Sequence, residues 1–374
     1  MLYEIHMLKN YPATNLNRDD TGAPKTCVFG GCTRGRISSQ CLKRSWRTSD
    51  IFRDDIGIAN LGVRTRHLPE CVMDELRKNG VSEEYLDVLK AKLTGILNKD
   101  GKESAEGITA QMAFYSADDI KAVAAGVQNL LEDCTSKKDV EKLTAKKIGE
   151  VISDAKTRPV TLDIALFGRM VTSDSFRDVD AAMQVAQAVS TNRIVMESDY
   201  FTAMDDLLSG ESMESSGAAM MGDVDYNSSC YYIYANIDSD ALLKNLEYSE
   251  NKEDLVAAAI PALIRAMAFS NPSGKQNSFA GHVLPSAILI ECKEKKTPVS
   301  YVNAFAAPVN EKKIIPDSIA RLVAECEMTD RNFGLPVAKR LWFCVDKYEQ
   351  RAPEGAVVCK TLNELTEAVA ETIK

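Results

Sequence analysis

Between Asn15 and Arg47 the chain gathers charge of one sign, and this stretch constrains the fold more than any other. Seven basic residues (Arg18, Lys25, Arg34, Arg36, Lys43, Arg44, Arg47) stand against Asp19 and Asp20, a local +5 in a 374-residue chain of formal total −9, so the remainder sums to −14. A positive window in an acidic chain points to a polyanionic partner. Ser38 and Ser39 are good N-cap residues, and the SQCLKRSW run after Ser38, free of Gly and Pro, predicts a helix. Its spacing puts Ser39, Gln40, Lys43, Arg44 and Arg47 on one arc and Cys41, Leu42, Ser45 and Trp46 on the other. Upstream, the glycines of Gly30-Gly31-Cys32-Thr33-Arg34-Gly35-Arg36 permit close backbone approach, and a helix N-terminus adds N–H groups and a positive dipole end. The combination suits a phosphate-rich ligand. A solvated basic face beside an ordinary turn is the plainer reading of the same residues.

Other features narrow the classes. The longest apolar runs, such as Leu284–Ile290, fall short of a membrane span, and the N-terminal MLYEIHMLKNYP has no charged-then-apolar signal pattern. A cytoplasmic protein without a membrane partner is expected. The ten cysteines include no C-x-x-C and have three histidines to help them, so reduced thiols are expected, with no metal site and no cofactor.

In chain order, Leu2–Leu8 reads as a strand with Tyr3, Ile5 and Met7 on one side; His6, on the other, reads as a hydrogen-bonded structural residue. Thr26–Phe29 reads as a short strand. Ser82–Asn98, Ser116–Asp133 (with a Ser-x-x-Asp cap) and Asp139–Ala155 read as helices of an insertion. Lys138, Lys142 and Lys146 then recur every four residues, with Lys137 and Lys147 beside them, as a ladder of ammonium groups or a solvated face. Val160–Leu166 reads as a buried strand and Asp180–Thr191 as an amphipathic helix. The Gly/Ser/Met/Ala-rich LLSGESMESSGAAMMGD, followed by the strand-forming Tyr231–Ile237, reads as the end of a projecting hairpin. Helices follow at Ser239–Glu247 and Asp254–Phe269, strands at Pro285–Glu291 and Ser300–Phe305, and helices near Asp317–Met328 and Leu362–Ile373. Ser273-Gly274-Lys275-Gln276 resembles half a phosphate loop, but Phe269 stands where the P-loop glycine belongs, which argues against nucleotide hydrolysis.

NLNRDDTGAPKTCVFGG and the following RGRISSQCLKRSWR resemble, over some thirty residues, the N-terminal signature of the CasC family, the backbone subunit of the type I-E CRISPR complex Cascade. Further similarity lies at Asp163–Ser173, Tyr200–Asp206, Tyr232–Ile237 and Gly274-Lys275-Gln276, and is loose after Pro308. The resemblance implies an α+β fold: a ferredoxin-like or RNA-recognition-motif-like palm (1–61, 159–191 and 231–374, the last with C-terminal helices), helical fingers (62–158) and a β-hairpin thumb (192–230). It implies CRISPR guide RNA, target DNA, further copies of the chain in a helical filament and other Cascade subunits as partners. Guide contacts then fall on Arg18, Lys25, Arg34, Arg36, Ser38, Gln40, Lys43, Arg44, Arg47, Arg169, Met170 and Lys275. The thumb would use Phe201, Met204, Met220 and Met221, and the finger would meet duplex DNA through Lys137, Lys138, Lys142 and Lys146.

No nucleophile elbow or H-E-x-x-H occurs. The paired carboxylates Asp19-Asp20 and Asp205-Asp206 sit in suggestive loops, and in type III relatives an early-loop aspartate supports RNA cleavage. The expectation here is a non-catalytic scaffold in which Asp19 and Asp20 brace Arg18. The alternatives are a metal-dependent ribonuclease at Asp19/Asp20 and a stand-alone RNA-binding protein.

Overall fold

The computed structural model describes residues 1–97, 104, 106–152, 157–171, 173, 175–203, 220–348 and 351–373. The chain opens with β1 (Leu2–Thr14), β2 (Thr26–Phe29), β3 (Cys32–Ile37), α1 (Ser39–Arg47), α2 (Asp50–Ile56) and β4 (Val63–Thr65). Next come α3 (Leu68–Lys78), α4 (Glu83–Thr94), β5 (Ala113–Tyr115), α5 (Ala117–Glu132), α6 (Lys137–Glu141), α7 (Ala145–Val151) and α8 (Leu162–Phe167). Strands β6 (Met183–Val185), β7 (Ala188–Ser190), β8 (Glu197–Ala203) and β9 (Met220–Asp238) lead to α9 (Ser239–Asn245), α10 (Lys252–Phe269) and α11 (Gln276–Phe279). Last are β10 (Pro285–Lys293), α12 (Ile314–Phe333), β11 (Lys339–Cys344), β12 (Val357–Val358) and α13 (Leu362–Ala370). The fold is α+β. Among the described residues no helix is long and apolar enough to cross a membrane.

Two compact units result. The first comprises Met1–Phe52, Val185–Asn236 and Ile260–Lys374, and the second Arg53–Gln184 and Ile237–Ala259.

The first unit is built on a sheet in the order β12-β11-β10-β1-β9-β7-β3-β2. β1 runs antiparallel to β10, from Leu2↔Lys293 to Leu8↔Ala287. The expected inward residues Tyr3, Ile5 and Met7 are buried, and so are Glu4 and His6 between them, so both faces of this strand are covered. Tyr232, Leu289 and Trp342 pack with Ile319, Leu322 and Cys326 of α12 on one face.

Polar groups on a doubly buried strand need partners. Glu291 accepts from Arg340 Nε at 2.8 Å and from Tyr301 Oη at 2.8 Å, and Lys293 Nζ lies 3.3 Å from it. Lys293 also pairs with Glu4, which accepts from Val299 N and Tyr234 Oη. Arg340 reaches on to Asp330 of α12 at 2.9 Å. The His6 ring stacks on Tyr301 with centroids 4.5 Å apart. Its Nδ1 lies 2.8 Å from Tyr232 Oη, which already accepts from Tyr301 N at 2.9 Å. Tyr232 Oη and His6 Nδ1 thus share one hydrogen bond inside the core, and burial favours the neutral imidazole.

In the second unit Ser116 and Asp119 form the expected capping box. The Asp119 carboxylate also receives Arg158 at 2.9 Å and Arg169 at 2.6 Å. Leu76, Leu89, Leu93, Val123, Val127 and Ile148 join the helices in one core.

Several expected elements differ. The expected strand Val160–Leu166 is helix α8: Asp163 Oδ1 accepts from Thr161 Oγ1 at 2.7 Å and Ile164 N at 3.1 Å, which stabilises a first turn, and Gly168 ends it at φ 83°. The expected helix Asp180–Thr191 is β6 and β7, because Ala186 N bonds Tyr234 O and Thr191 N bonds Cys230 O, joining the segment to β9. The expected strand at Ser300–Phe305 is a 3-10 turn over Tyr301–Phe305, held by Tyr301 in the buried network. The single expected helix Asp139–Ala155 is broken into α6 and α7, with Thr144 capping the second through Lys147 N. Residues 153–156 lie outside the described residues.

Burial depresses the His6 pKa from its ordinary 6.5 to about 3, against the pull of Glu291. Between those values the unfolded chain binds a proton that the folded chain refuses. This contribution to stability is therefore complete above 6.5 and is lost as pH falls toward 3. In His6→Gln, the slope of unfolding free energy with pH across this window, measured with urea, should flatten by about 1.4 kcal/mol per pH unit. An unchanged slope would place the acid sensitivity elsewhere.

Candidate nucleic-acid interface

The basic window begins where β1 ends. Asn15 is fully buried, and its Nδ2 donates to Gly22 O at 2.9 Å and to Asp225 O of β9 at 2.8 Å. Asn17 accepts from Lys25 N through its carbonyl (2.8 Å) and from Ser38 N through Oδ1 (2.9 Å). These two asparagines, to which the sequence alone assigns no role, fix the loop to the start of α1. Asparagines paired at the head of a Gly/Asp-rich loop are the signal for such a function, since Asn side chains bond nearby backbone.

Asp19 caps this loop. Its Oδ1 accepts from Thr21 N at 2.9 Å, Thr21 Oγ1 at 2.8 Å and Ala23 N at 3.1 Å, and these bonds, the Thr21 side chain's foremost, hold its carboxyl below the usual range. Among the described residues no ion pair joins Arg18 to Asp19 or Asp20, so the expected brace is replaced by a turn cap.

The glycines Gly30 and Gly31 have φ of 61° and 77° and form the turn between β2 and β3, which pair Phe29↔Cys32 and Thr26↔Gly35. Two consecutive positive φ angles suit a right-twisted two-residue hairpin. A Cβ on Gly30 would lie 1.6 Å from Ala306 O, so this turn is packed against protein and does not approach a ligand as expected.

Helix α1 forms as the sequence indicates. The Ser38 hydroxyl accepts from Cys41 N at 3.3 Å, and Leu42 and Trp46 are buried. Arg44 and Gln40 are exposed, and Lys43 and Arg47 are half-buried. Burial pushes the Cys41 thiol up, and the charges of Lys25 and Arg44 oppose it. Arg36, half-buried, donates to Thr26 O at 3.1 Å and to Gln187.

Two expected contact residues lie inside. Arg34 is fully buried, with Nη1 on Ser190 O and Thr191 O (2.8 and 2.9 Å) and Nη2 on Phe305 O and Ala306 O (2.8 and 3.1 Å). Its guanidinium fastens β3 to the sheet and faces no solvent. Arg169, in the second unit, is 5% exposed and donates to Asp119, Phe114 O and Arg177 O. Both are corrected from surface contacts to internal braces. Met170 beside it is 88% exposed.

Lys275 is brought to the window. Lys9 Nζ, buried, donates to Ala268 O and Ser270 O at 3.0 Å each where α10 ends, and burial pulls its pKa down to about 7. Tyr11 Oη donates to Asn271 Oδ1 at 2.8 Å. A Cβ on Gly274 would meet Leu16 O at 2.3 Å and Asn15 O at 2.7 Å, so only glycine lets this loop lie against the start of the window. Lys275 follows in the left-handed conformation, φ 51°.

β8 and β9 form the expected antiparallel ribbon, Glu197↔Tyr226 to Ala203↔Met220. A Cβ on Gly222 would lie 2.8 Å from the Phe201 ring, so Phe201 packs over its cross-strand glycine, and Met221 is 63% exposed. Met204 lies outside the described residues, as does the Met220 side chain. In the second unit Lys137, Lys138, Lys142 and Lys146 are exposed, but the break between α6 and α7 removes the single ladder. Lys142 pairs with Asp139 at 2.9 Å and Lys146 with Glu150 at 3.9 Å.

A model of the CT1975-like protein family matches residues 3–369. A solved chain of a "CRISPR RNA-guided surveillance complex, pre-nicking" shares 24% identity and a TM-score of 0.83 over 100% of both chains. Another, of a "CRISPR RNA-guided surveillance complex", shares 21% identity and a TM-score of 0.73 over 99% of both. At these identities the likeness is one of fold. No curated protein matches the chain.

Arg34→Ala would take a donor from four carbonyls, of which Thr191 O also accepts from Val309 N, and should cost about 3 kcal/mol, whereas Arg44→Ala should change stability by less than about 0.5 kcal/mol. Urea unfolding of the two variants checks the contrast. Equal losses would contradict the division into brace and surface cation.

Proposed function

Since the chain belongs to the CT1975-like protein family, we propose that it is a non-catalytic, RNA-binding backbone subunit of a CRISPR surveillance complex of the type I-E, CasC kind. The observation that carries this reading is the α1 surface. Arg18, Lys25, Lys43 and Arg44 make no ion pair among the described residues, yet the backbone that bears them is fixed by Asn15, Asn17 and the Ser38 cap. Cations held in position without counter-charges suit a chain of phosphates, and phosphate contacts serve guides of any sequence because they carry no direct sequence information. Arg36, Arg47, Gln40 and Lys275 extend that surface, and Ser38 contributes by capping the helix.

On this reading several copies line the guide RNA, the β8/β9 ribbon acts as the thumb with Phe201 on one of its faces and Met221 on the other, and other subunits complete the complex inside the cell. Lys137, Lys138, Lys142 and Lys146 would meet target DNA as separate cations on two short helices, and Met170, exposed, would lie near RNA. The non-catalytic role is supported by Asp19, whose carboxylate is occupied in capping its own loop.

Binding of the full chain to labelled single-stranded RNA should weaken with salt, with a slope of roughly −0.7 in log affinity per log salt for each phosphate neutralised. Lys43→Ala/Arg44→Ala should lower affinity and shrink that slope by about 0.7 for each phosphate that the variant leaves without a cation. A salt-independent affinity, or a variant slope equal to the wild type's, would sink the assignment. Site-specific cuts in complementary RNA on adding magnesium would favour the ribonuclease at Asp19/Asp20. A complex with guide RNA that contained one copy only would favour a stand-alone binder.

A further inference from the structure

Two glycines flank the short helix α11, and packing claims both of them. A Cβ on Gly274 would lie 2.3 Å from Leu16 O, and one on Gly281 would lie 2.2 Å from Thr14 Cγ2, so each is needed for close approach to the end of β1 or the residues just beyond it. Neither glycine has a positive φ. The left-handed turns fall instead on their neighbours, Lys275 at the N-cap with φ 51° and Ala280 at the C-cap with φ 47°, the two non-glycine residues with positive φ among the described residues. A Cβ strains such a conformation, and a helix end of this kind ordinarily uses glycine. Local preference and packing thus conflict at both ends of one turn, which marks a segment with a second state within reach.

The turn is held down from its flanks. Lys9 Nζ donates to Ala268 O and Ser270 O, Tyr11 Oη donates to Asn271 Oδ1, and Pro285 at the head of β10 pairs with Lys9, so residues 272–284 form a strap whose two ends are fastened to β1. Midway, Phe279 lies against Tyr226 at the base of the β8/β9 ribbon, with centroids 5.6 Å apart. Gln276 Nε2 donates to Pro272 O at 2.8 Å, while its Oε1 is buried without a donor among the described residues, a further cost of the pressed arrangement. Off the end of β1, Gly274 and Gly281 are free to turn, and Lys275 and Ala280 are free to take ordinary conformations. A helix of four residues without packing does not persist in water, so the lifted strap gives up its internal hydrogen bonds.

We propose that this strap has two states, pressed on the end of β1 and lifted from it, and that an RNA phosphate bound to Lys275 draws it into the lifted state, where the strain at Lys275 and Ala280 is released. The coupling to RNA rests on the function proposed above; the strain and the lifting do not. Lys275 then differs from the cations of α1, which project from a fixed backbone: it is a contact that forms as the ligand arrives. Thr14, Gly274, Ala280 and Gly281 act through it as positioning residues.

Hydrogen exchange at the amides of Ala280 and His282, which donate to Gln276 O and Ala280 O within the turn, reads the lifted population of the full chain. Without RNA, Ala280→Gly should raise their protection about fivefold, because the left-handed cost of alanine outweighs the freedom that glycine gains on release. Gly281→Ala should lower it, since the new methyl group meets Thr14; adding Thr14→Ser, which removes Cγ2 and keeps the hydroxyl that donates to Pro12 O, should restore it. On binding single-stranded RNA the wild type should lose protection at these two amides, where a static surface would gain it. RNA affinity should fall about fivefold in Ala280→Gly, whose pressed state is more stable, and rise in Gly281→Ala.

Protection lowered or unmoved by Ala280→Gly, or unmoved by Gly281→Ala, would overturn the strap. Protection that rises at both amides when RNA binds, or equal RNA affinity in the wild type and both variants, would overturn the coupling. Absence of RNA binding altogether would remove the functional assignment, while the exchange rates without RNA would still decide the strap.

Discussion

The contact between Glu291 and Arg340 is the interaction on which the first unit depends. Both side chains are buried, and each holds a second partner: Tyr301 and Lys293 for the carboxylate, Asp330 for the guanidinium. Through Lys293 and Glu4 the same network reaches β1, and through Asp330 it reaches α12. Removing one member of a buried charge pair typically costs about 3–5 kcal/mol, because it leaves an uncompensated charge. A register slip of one residue between β1 and β10 would set these charges against apolar neighbours. The network thus fixes the register of three strands that are far apart in sequence, which apolar packing alone specifies weakly on a sheet covered on both faces.

The proposed interface inherits this rigidity through β1. Lys9 and Tyr11 on that strand hold the end of α10 and the loop after it, and its continuation through Asn15 and Asn17 holds the basic loop, the base of the ribbon and the start of α1. The charged groups at the surface are long and mobile side chains. What is ordered is the backbone from which they project, and that order costs no desolvated counter-ion. A phosphate-binding surface gains by this arrangement, since each cation paired with a carboxylate must break that pair before it can bind.

The elements legible in the sequence are those with local causes. The Ser38 cap, the Ser116–Asp119 capping box, the amphipathic arc of α1 and the β8/β9 ribbon each follow from a few neighbouring residues, and they lie where expected. The misread segments are short apolar runs whose state is decided at long range. Val160–Leu166 contains nothing that separates a buried strand from a buried helix; Asp163, also bonded by Gly62 N at 2.8 Å, decides it. Ala182, Val185, Ala186 and Val189 have helical spacing, but β9 offers a backbone edge, and pairing there prevails. The lysine run is sound as a count and wrong as a ladder, because Thr144 starts a new helix where its spacing predicts a continuous one.

Charge count alone also hides a division of labour among the arginines. Arg34 lies two residues from Arg36 and belongs to the same basic motif, yet strand alternation does not separate them: both are even-numbered positions on β3 and point to one side. What separates them is the partner strand's depth in the sheet. Arg34 sits where β3 meets Ser190, Thr191 and the turn ending at Ala306, four carbonyls that converge on one guanidinium; Arg36 lies farther along, where only Thr26 O and Gln187 come within reach. A convergent set of carbonyls is a strong acceptor for five N–H donors and a poor place for a phosphate, so the same residue type becomes a brace at one position and remains available at the next. The basic window therefore acts twice: its buried arginine secures the strand that leads into α1, and Lys43 and Arg44 beyond it can meet a polyanion because that strand is secured.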